Sequence, residues 1–252
     1  MRHTTLIIFL LAIGVTACTC QKAPVELSDE PHSKQESYFI PGLDHDLIQS
    51  PINILSAETE VTKGHEITMH FQDKINAVEN LGHTVQLDFA QGSTVSSDEM
   101  EYEVKQMHFH TPSEHLIDGM TFPMELHIVN QVPPVNQGDT PHYLVIAALF
   151  KMGKENKFIS EFLNKILEQE NSKAELQMDE VRLSDIVSDF LNMPPNFYHY
   201  QGSLTTAPYT ESVNWFVLKR IIEASPEQIR AINKIEGDNA RHIQNKFGRT
   251  TN

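Results

Sequence analysis

Two short segments, Gln106-Met-His-Phe-His110 and Met124-Glu-Leu-His-Ile-Val129, restrict this chain more than any others. Successive side chains of a β-strand point to opposite faces, so residues two apart share a face. In a strand, Gln106, His108 and His110 therefore point one way, and Glu125, His127 and Val129 do the same in the second segment. If the two strands are antiparallel neighbours, three imidazoles can converge on one point. Three neutral histidines with an open fourth position describe a catalytic zinc site.

A His-x-His pair is weak by itself, because thirteen histidines in 252 residues will produce such pairs by chance. The neighbouring residues strengthen the reading. Glu125 stands two before His127, on its face, and a carboxylate on the far ring nitrogen fixes the tautomer and raises ligand basicity. Gln106 can serve His108 in the same way through its amide oxygen.

The middle of the chain is strand-like. Glu66–Phe71, Thr84–Phe89 and Glu101–His110 alternate, the last with Tyr102, Val104, Gln106, His108 and His110 expected on one face. Tyr143–Phe150 and Val213–Leu218 are continuous apolar runs, the pattern of strands buried on both faces. Gly82, in Asn80-Leu-Gly-His83, suggests a bend or bulge. Helical spacing is confined to Lys157–Glu168, the short Leu183–Leu191, and a helix through about Asn233 that opens on Ser225-Pro-Glu-Gln228. That opening has the layout of a capping box with Pro at the first helical position. The expected fold is α+β: a single domain over residues 38–252, built on a large, mainly antiparallel central β-sheet with peripheral short helices.

Residues 1–17 read as a signal peptide. Arg2 and His3 precede an apolar core, Leu6–Val15, that is too short to span a bilayer. It ends in Val15-Thr-Ala-Cys18, which resembles a bacterial lipobox, so a lipid on Cys18 and a polar tether over residues 18–37 are expected. The expected location is the bacterial cell envelope, periplasm-facing or at the surface, with membrane attachment through the N-terminal lipid only. Both cysteines, Cys18 and Cys20, fall here, so the domain can form no internal disulfide. A net charge of −15 argues against nucleic acid as a partner.

Five blocks carry a resemblance to a known family: Gln49-Ser-Pro-Ile-Asn-Ile54, Gln106–His115, Glu125-Leu-His127, Tyr200–Pro208, and the ending Asn239-Ala-Arg241 with Gln244 and Arg249. In order and rough spacing they resemble an α-class carbonic anhydrase of bacterial, lipoprotein type. The resemblance implies reversible hydration of carbon dioxide to bicarbonate and a proton, by attack of zinc-bound hydroxide. It implies one Zn2+ held by His108, His110 and His127, with Gln106, Glu125 and Asn239 supporting those ligands. Thr205 resembles the threonine that orients the hydroxide and passes its proton toward Glu114, and Thr206 the neighbour that positions substrate or solvent. Val129, Ile146, Leu204, Val213 and Trp215 match the apolar wall for carbon dioxide, and His83 matches the proton shuttle, a task suited to an imidazole pKa near about 6.5. His115 is read as a buried structural partner.

The chain also departs from that pattern. Only Tyr38-Phe-Ile-Pro-Gly42 stands where the family carries an aromatic N-terminal block, and Tyr209 occupies a position that many bacterial members fill with a disulfide cysteine. Loop closure of that size is worth roughly 3–5 kcal/mol, so lower stability or reliance on zinc is expected. Ala207 replaces a usual proline, and Leu81 stands where a polar residue is common, which predicts slower proton transfer. Two other functions compete: a catalytically weak or inactive relative serving as a surface binding protein, and a zinc-storing protein. The complete histidine set with Thr205 and Glu114 disfavours the first, and the single closed constellation disfavours the second.

Overall fold

The sheet grows outward from the strand pair that the histidines demand. The computed structural model describes residues 47–59, 67–72, 74–98, 100–133, 141–186 and 197–252. The expected signal peptide, Cys18, the tether and Tyr38 lie outside the described residues. The strands in chain order are β1 (Asn53–Ile54), β2 (Ile67–His70), β3 (Ile75–Asn80), β4 (Val85–Phe89), β5 (Thr94–Ser97), β6 (Met100–His110) and β7 (Leu116–Ile117). They continue as β8 (Met124–Gln131), β9 (Tyr143–Met152), β10 (Ser172–Glu175), β11 (Phe197–Gly202), β12 (Val213–Leu218) and β13 (Ile222–Ala224). Eleven of them form one sheet whose main path runs β10-β3-β4-β6-β8-β9-β12-β11, with β5 and then β2 attached to β6, and β13 to β9. Among the described residues its only parallel pairings are β12–β9 and β13–β9, so the sheet is mainly antiparallel, as expected.

β6 and β8 are antiparallel and central, and their register sets His108 opposite His127 and His110 opposite Glu125. One expectation about β6 fails. Tyr102 and Val104 do not share a face with the histidines: they join Met107 and Phe109 in the main hydrophobic core. The register against β8 shifts between Val104 and Gln106. A bulge puts one extra residue into a strand and so exchanges its two faces from that point on. The parity break is written in the apolar residues themselves, which fall at Tyr102 and Val104, then at Met107 and Phe109.

β9 is buried on both sides, as its unbroken apolar run predicts. Leu144, Ile146, Ala148 and Phe150 enter the main core with Leu126, Ile128, Phe158 and Phe162. Val145, Ala147 and Leu149 enter a second cluster with Val129, Val213, Trp215 and Val217. Full burial of such side chains contributes about 1.5–3 kcal/mol each. The histidine face of β6 and β8 lies on the side of this second cluster.

The helices are peripheral. The first, α1 (Lys157–Phe162), gives way to a 3-10 turn at Leu163–Lys165, shorter than the spacing over Lys157–Glu168 predicts. Tertiary contacts override the local pattern, because Asn80 at the end of β3 draws in the Leu167 and Glu168 carbonyls through its Nδ2. Of the expected Leu183–Leu191 helix, residues 184–186 are helical and 187–191 lie outside the described residues. The last helix, α2 (Pro226–Glu236), begins with the expected capping box: Ser225 Oγ accepts from Gln228 N, and Gln228 Oε1 accepts from Ser225 N. No helix among the described residues is long and apolar enough to cross a membrane.

Candidate metal centre

One ring nitrogen from each of His108, His110 and His127 lies within 4.8 Å of the other two. The bulge and the strand register produce this convergence, since β6 supplies two of the rings and the facing position on β8 the third. Outer partners set the tautomers. His108 Nδ1 donates to Gln106 Oε1 at 2.8 Å, which leaves the Nε2 lone pair free. His127 Nε2 donates to Glu125 Oε1 at 2.8 Å, which leaves Nδ1 free.

Glu125 is fully buried and fully bonded. Its Oε1 also accepts from His115 Nδ1 at 2.6 Å, and its Oε2 accepts from the backbone N–H of Glu114 and His115, both at 2.8 Å. Burial alone raises its pKa, but the bonded imidazoles of His115 and His127 hold it well below the usual carboxylate range. His115, Glu125 and His127 also form a second potential metal-binding group. Their facing atoms are already hydrogen-bonded to one another, so that group is a brace. The brace continues outward, with the Tyr200 hydroxyl 2.6 Å from His115 Nε2 and 3.0 Å from Ser50 Oγ. His115 is thus a buried structural partner, as the sequence suggests.

His110 is 3% exposed, and neither of its ring nitrogens has a hydrogen-bond partner. A buried polar group in that state costs about 1–3 kcal/mol, and a metal ion on one of the two nitrogens would satisfy that one. Burial, then the neighbouring His127, pushes the His110 pKa down to about 3. Burial, followed by His110 and His127, holds His108 well below its ordinary value too. Both rings are therefore neutral at pH 7, the state in which imidazole binds a metal. Three imidazole nitrogen donors suit zinc.

Asn239 sits beside His110 and raises its pKa somewhat. Its side-chain hydrogen bonds nonetheless go to backbone: Oδ1 accepts from Thr111 N at 3.0 Å, and Nδ2 donates to His83 O at 2.8 Å. Glu114 lies beneath the cluster, with Oε2 3.6 Å from His110 Nε2 and Oε1 accepting from Arg241 N at 2.8 Å. Burial and then the Glu125 carboxylate push its pKa up to about 8, against the lowering effects of Arg241 N–H and the Thr205 hydroxyl. Thr205 is close enough for that influence, yet Glu114 Oε2 makes no hydrogen bond of normal distance and angle.

Above the histidines opens a cavity of about 200 Å³. Gln106, His108, His127, Thr205 and Thr206 line its polar side, and Val129, Tyr143, Val145, Leu204 and Trp215 its apolar side. Trp215 meets the edge of His127 at 4.9 Å between ring centroids and closes the base. One expected wall residue is misplaced. Ile146 points into the main core, away from the cavity, and Val145 takes the place expected of it. A continuous apolar run contains no alternation to show which residue faces which side. Val213 belongs to the apolar cluster behind the cavity and does not line it. His83 is exposed and outside the lining, though near enough to His108 to act on its charge. Tyr143 and Val145 in the lining and Tyr200 in the brace are site residues that strand periodicity alone does not mark. The order of the Gln-Ser-Pro and Tyr-Gln-Gly-Ser blocks was the signal for Tyr200.

The sequence profile described as eukaryotic-type carbonic anhydrase matches residues 43–252. A carbonic anhydrase of Neisseria gonorrhoeae is 35% identical over 198 residues, covering 78% of this chain and 73% of that protein. Among solved structures, the α-carbonic anhydrase of Photobacterium profundum superposes with a TM-score of 0.71 at 28% identity, over 81% of this chain and 88% of the other. That of Thermovibrio ammonificans, solved with the inhibitor sulfanilamide, gives 0.70 at 30% identity, over 81% and 86%.

Proposed function

We propose that this chain, which belongs to the eukaryotic-type carbonic anhydrase family, hydrates carbon dioxide reversibly to bicarbonate and a proton at a zinc ion held by His108, His110 and His127. The carrying observation is the buried His110 ring, unpartnered at both nitrogens within a cluster of three converging imidazoles. In carbonic anhydrases generally, zinc lowers the pKa of a water ligand to about 7 and so supplies a nucleophile at neutral pH.

The chain's own residues then have distinct tasks. Gln106 and Glu125 hold two imidazoles in the tautomer that presents a lone pair to the metal. Val129, Val145, Leu204 and Trp215 give an apolar, uncharged substrate a place to rest beside the polar floor. The Thr205 hydroxyl, in the cavity and close to Glu114, orients the nucleophilic oxygen by accepting its proton in a hydrogen bond and donating its own toward Glu114, a carboxyl that the charge of a bound metal ion would return to its ionised form. Thr206, exposed at the rim, positions substrate or solvent. His83, exposed beside the cluster, takes the released proton to buffer. Support for location at the cell envelope, anchored by lipid on Cys18, comes from the Leu6–Cys18 segment and from bacterial relatives.

Stopped-flow hydration tests the reading. Activity should vanish when zinc is removed by a chelator and return with added zinc; equal rates in the two states would refute it. His83→Ala should lower turnover in weak buffer by about a hundredfold, the lower end of what a positioned proton-transfer group contributes, and added imidazole should restore it. Turnover independent of buffer in that variant would remove His83 from the scheme.

A further inference from the structure

The backbone ladder between β4 and β6 runs from Asp88–Gln106 to Gln86–His108 and stops there. Beyond it, toward the site, side chains bridge the two strands. Thr84 Oγ1 donates to Phe109 O at 2.8 Å, and Asn239 Nδ2 reaches both His83 O and Phe109 O, at 2.8 and 3.2 Å. At the end of α2, Glu236 spans the same gap: Oε2 accepts from Val85 N at 3.2 Å, and Oε1 lies 3.0 Å from Thr111 Oγ1. Glu236 is 6% exposed. Gly237 follows with φ +66°, a conformation that favours glycine, and turns the chain so that Glu236 and Asn239 meet the same two strands.

We propose that Glu236 is a positioning residue for proton exit, clamping the start of β4 to the end of β6 and so fixing where the His83 imidazole stands relative to the histidine cluster. This rests on the relay role proposed for His83. Among the described residues the His83 ring is held by Nδ1 to Leu81 O, 2.9 Å away within its own turn, so the backbone beneath determines its placement. The hydrogen inventory accommodates a neutral clamp. Thr111 Oγ1 accepts from Asn233 Nδ2 at 3.1 Å, and its one proton can go to Glu236 Oε1 at 3.0 Å or to Gly237 O at 2.9 Å, which Asn233 Nδ2 also reaches at 3.2 Å. A protonated Glu236 that donates to Thr111 and accepts from Val85 satisfies every group, and burial pushes its pKa up to about 8. Glutamine carries the same donor and acceptor pair, so Glu236→Gln should keep the clamp and Glu236→Ala should break it.

The test compares these variants, alone and with His83→Ala, in the full chain. With zinc bound, Glu236→Ala should lower kcat in weak buffer by at least about threefold, a misplacement effect, with kcat/KM preserved and imidazole restoring the rate. Adding Glu236→Ala to His83→Ala should bring no further loss. In metal-free protein, NMR should show shifted His83 ring resonances and faster Val85 amide exchange in Glu236→Ala, and neither in Glu236→Gln. The inference fails if Glu236→Ala keeps wild-type kcat in weak buffer while His83→Ala loses it. It also fails if kcat and kcat/KM fall together in both Glu236 variants, which marks a merely structural residue. If His83→Ala itself has no buffer-dependent effect, the relay reading fails, and the NMR measurements alone then decide for or against the clamp.

Discussion

His110→Ala is expected to lose its zinc and at least about a thousandfold of the hydration rate, equivalent to about 4 kcal/mol of barrier. The size follows from the burial. The ring is enclosed, both nitrogens lack other partners, and its pKa of about 3 keeps it neutral. Alanine leaves two imidazoles and a cavity. The nearest replacement is Glu114, whose Oε2 lies 3.6 Å from His110 Nε2. A carboxylate ligand would neutralise part of the metal charge and so weaken the acidity that the site exists to create. Metal content by mass spectrometry and stopped-flow rates should be read on the same preparation. His70→Ala, at an exposed position on β2, is the control and should retain both. A His110→Ala protein with full zinc and full rate would overturn the assignment.

The second large effect concerns metal-free protein, whose stability should peak between pH 4.5 and 6.5. The His110 pKa falls from 6.5 to about 3 on folding, so the unfolded chain binds more protons between about pH 3 and 6.5. Stability therefore rises with pH there, by up to about 1.4 kcal/mol per unit and of order 5 kcal/mol across the window. His108 shifts in the same direction. Glu114 and Glu236 act oppositely. Their pKa values rise from 4.5 to about 8, so the folded state holds more protons and stability falls as pH increases through that range. Urea titrations from about pH 3 to about pH 8 measure both limbs. His110→Asn should flatten the acid limb and Glu236→Gln should reduce the slope of the alkaline one. Zinc should stabilise most at the higher pH, where imidazoles bind it without first releasing protons. An acid limb unchanged in His110→Asn would show that this histidine is not buried neutral.

Part of the site could be read without coordinates because its logic is local. Gln106 with His108 and Glu125 with His127 are each two residues apart on one strand, and the pleat alone places each pair on a common face. The hydrogen bonds at 2.8 Å realise that spacing. The capping box at Ser225 is equally local and formed as expected. The errors lie where local pattern is degenerate. Tyr143–Phe150 is apolar at every position, so nothing in it distinguishes Ile146 from Val145, and only the partner strands assign the faces. Strict alternation carried through the bulge groups Tyr102 and Val104 with the histidines, although the spacing of apolar residues already contains the break.

By itself, then, the sequence determined the strand-rich class, the two histidine segments and the side chains that hold their tautomers, since each depends on periodicities of two or on contacts a few residues apart. Only the tertiary structure decided that the β6 faces exchange at the bulge, that Val145 and not Ile146 meets the cavity, and that Glu236, more than a hundred residues from both, joins Val85 to Thr111. The physical reason is that register, facing and the satisfaction of buried polar groups depend on which strands and helix ends become neighbours, and no local pattern encodes that.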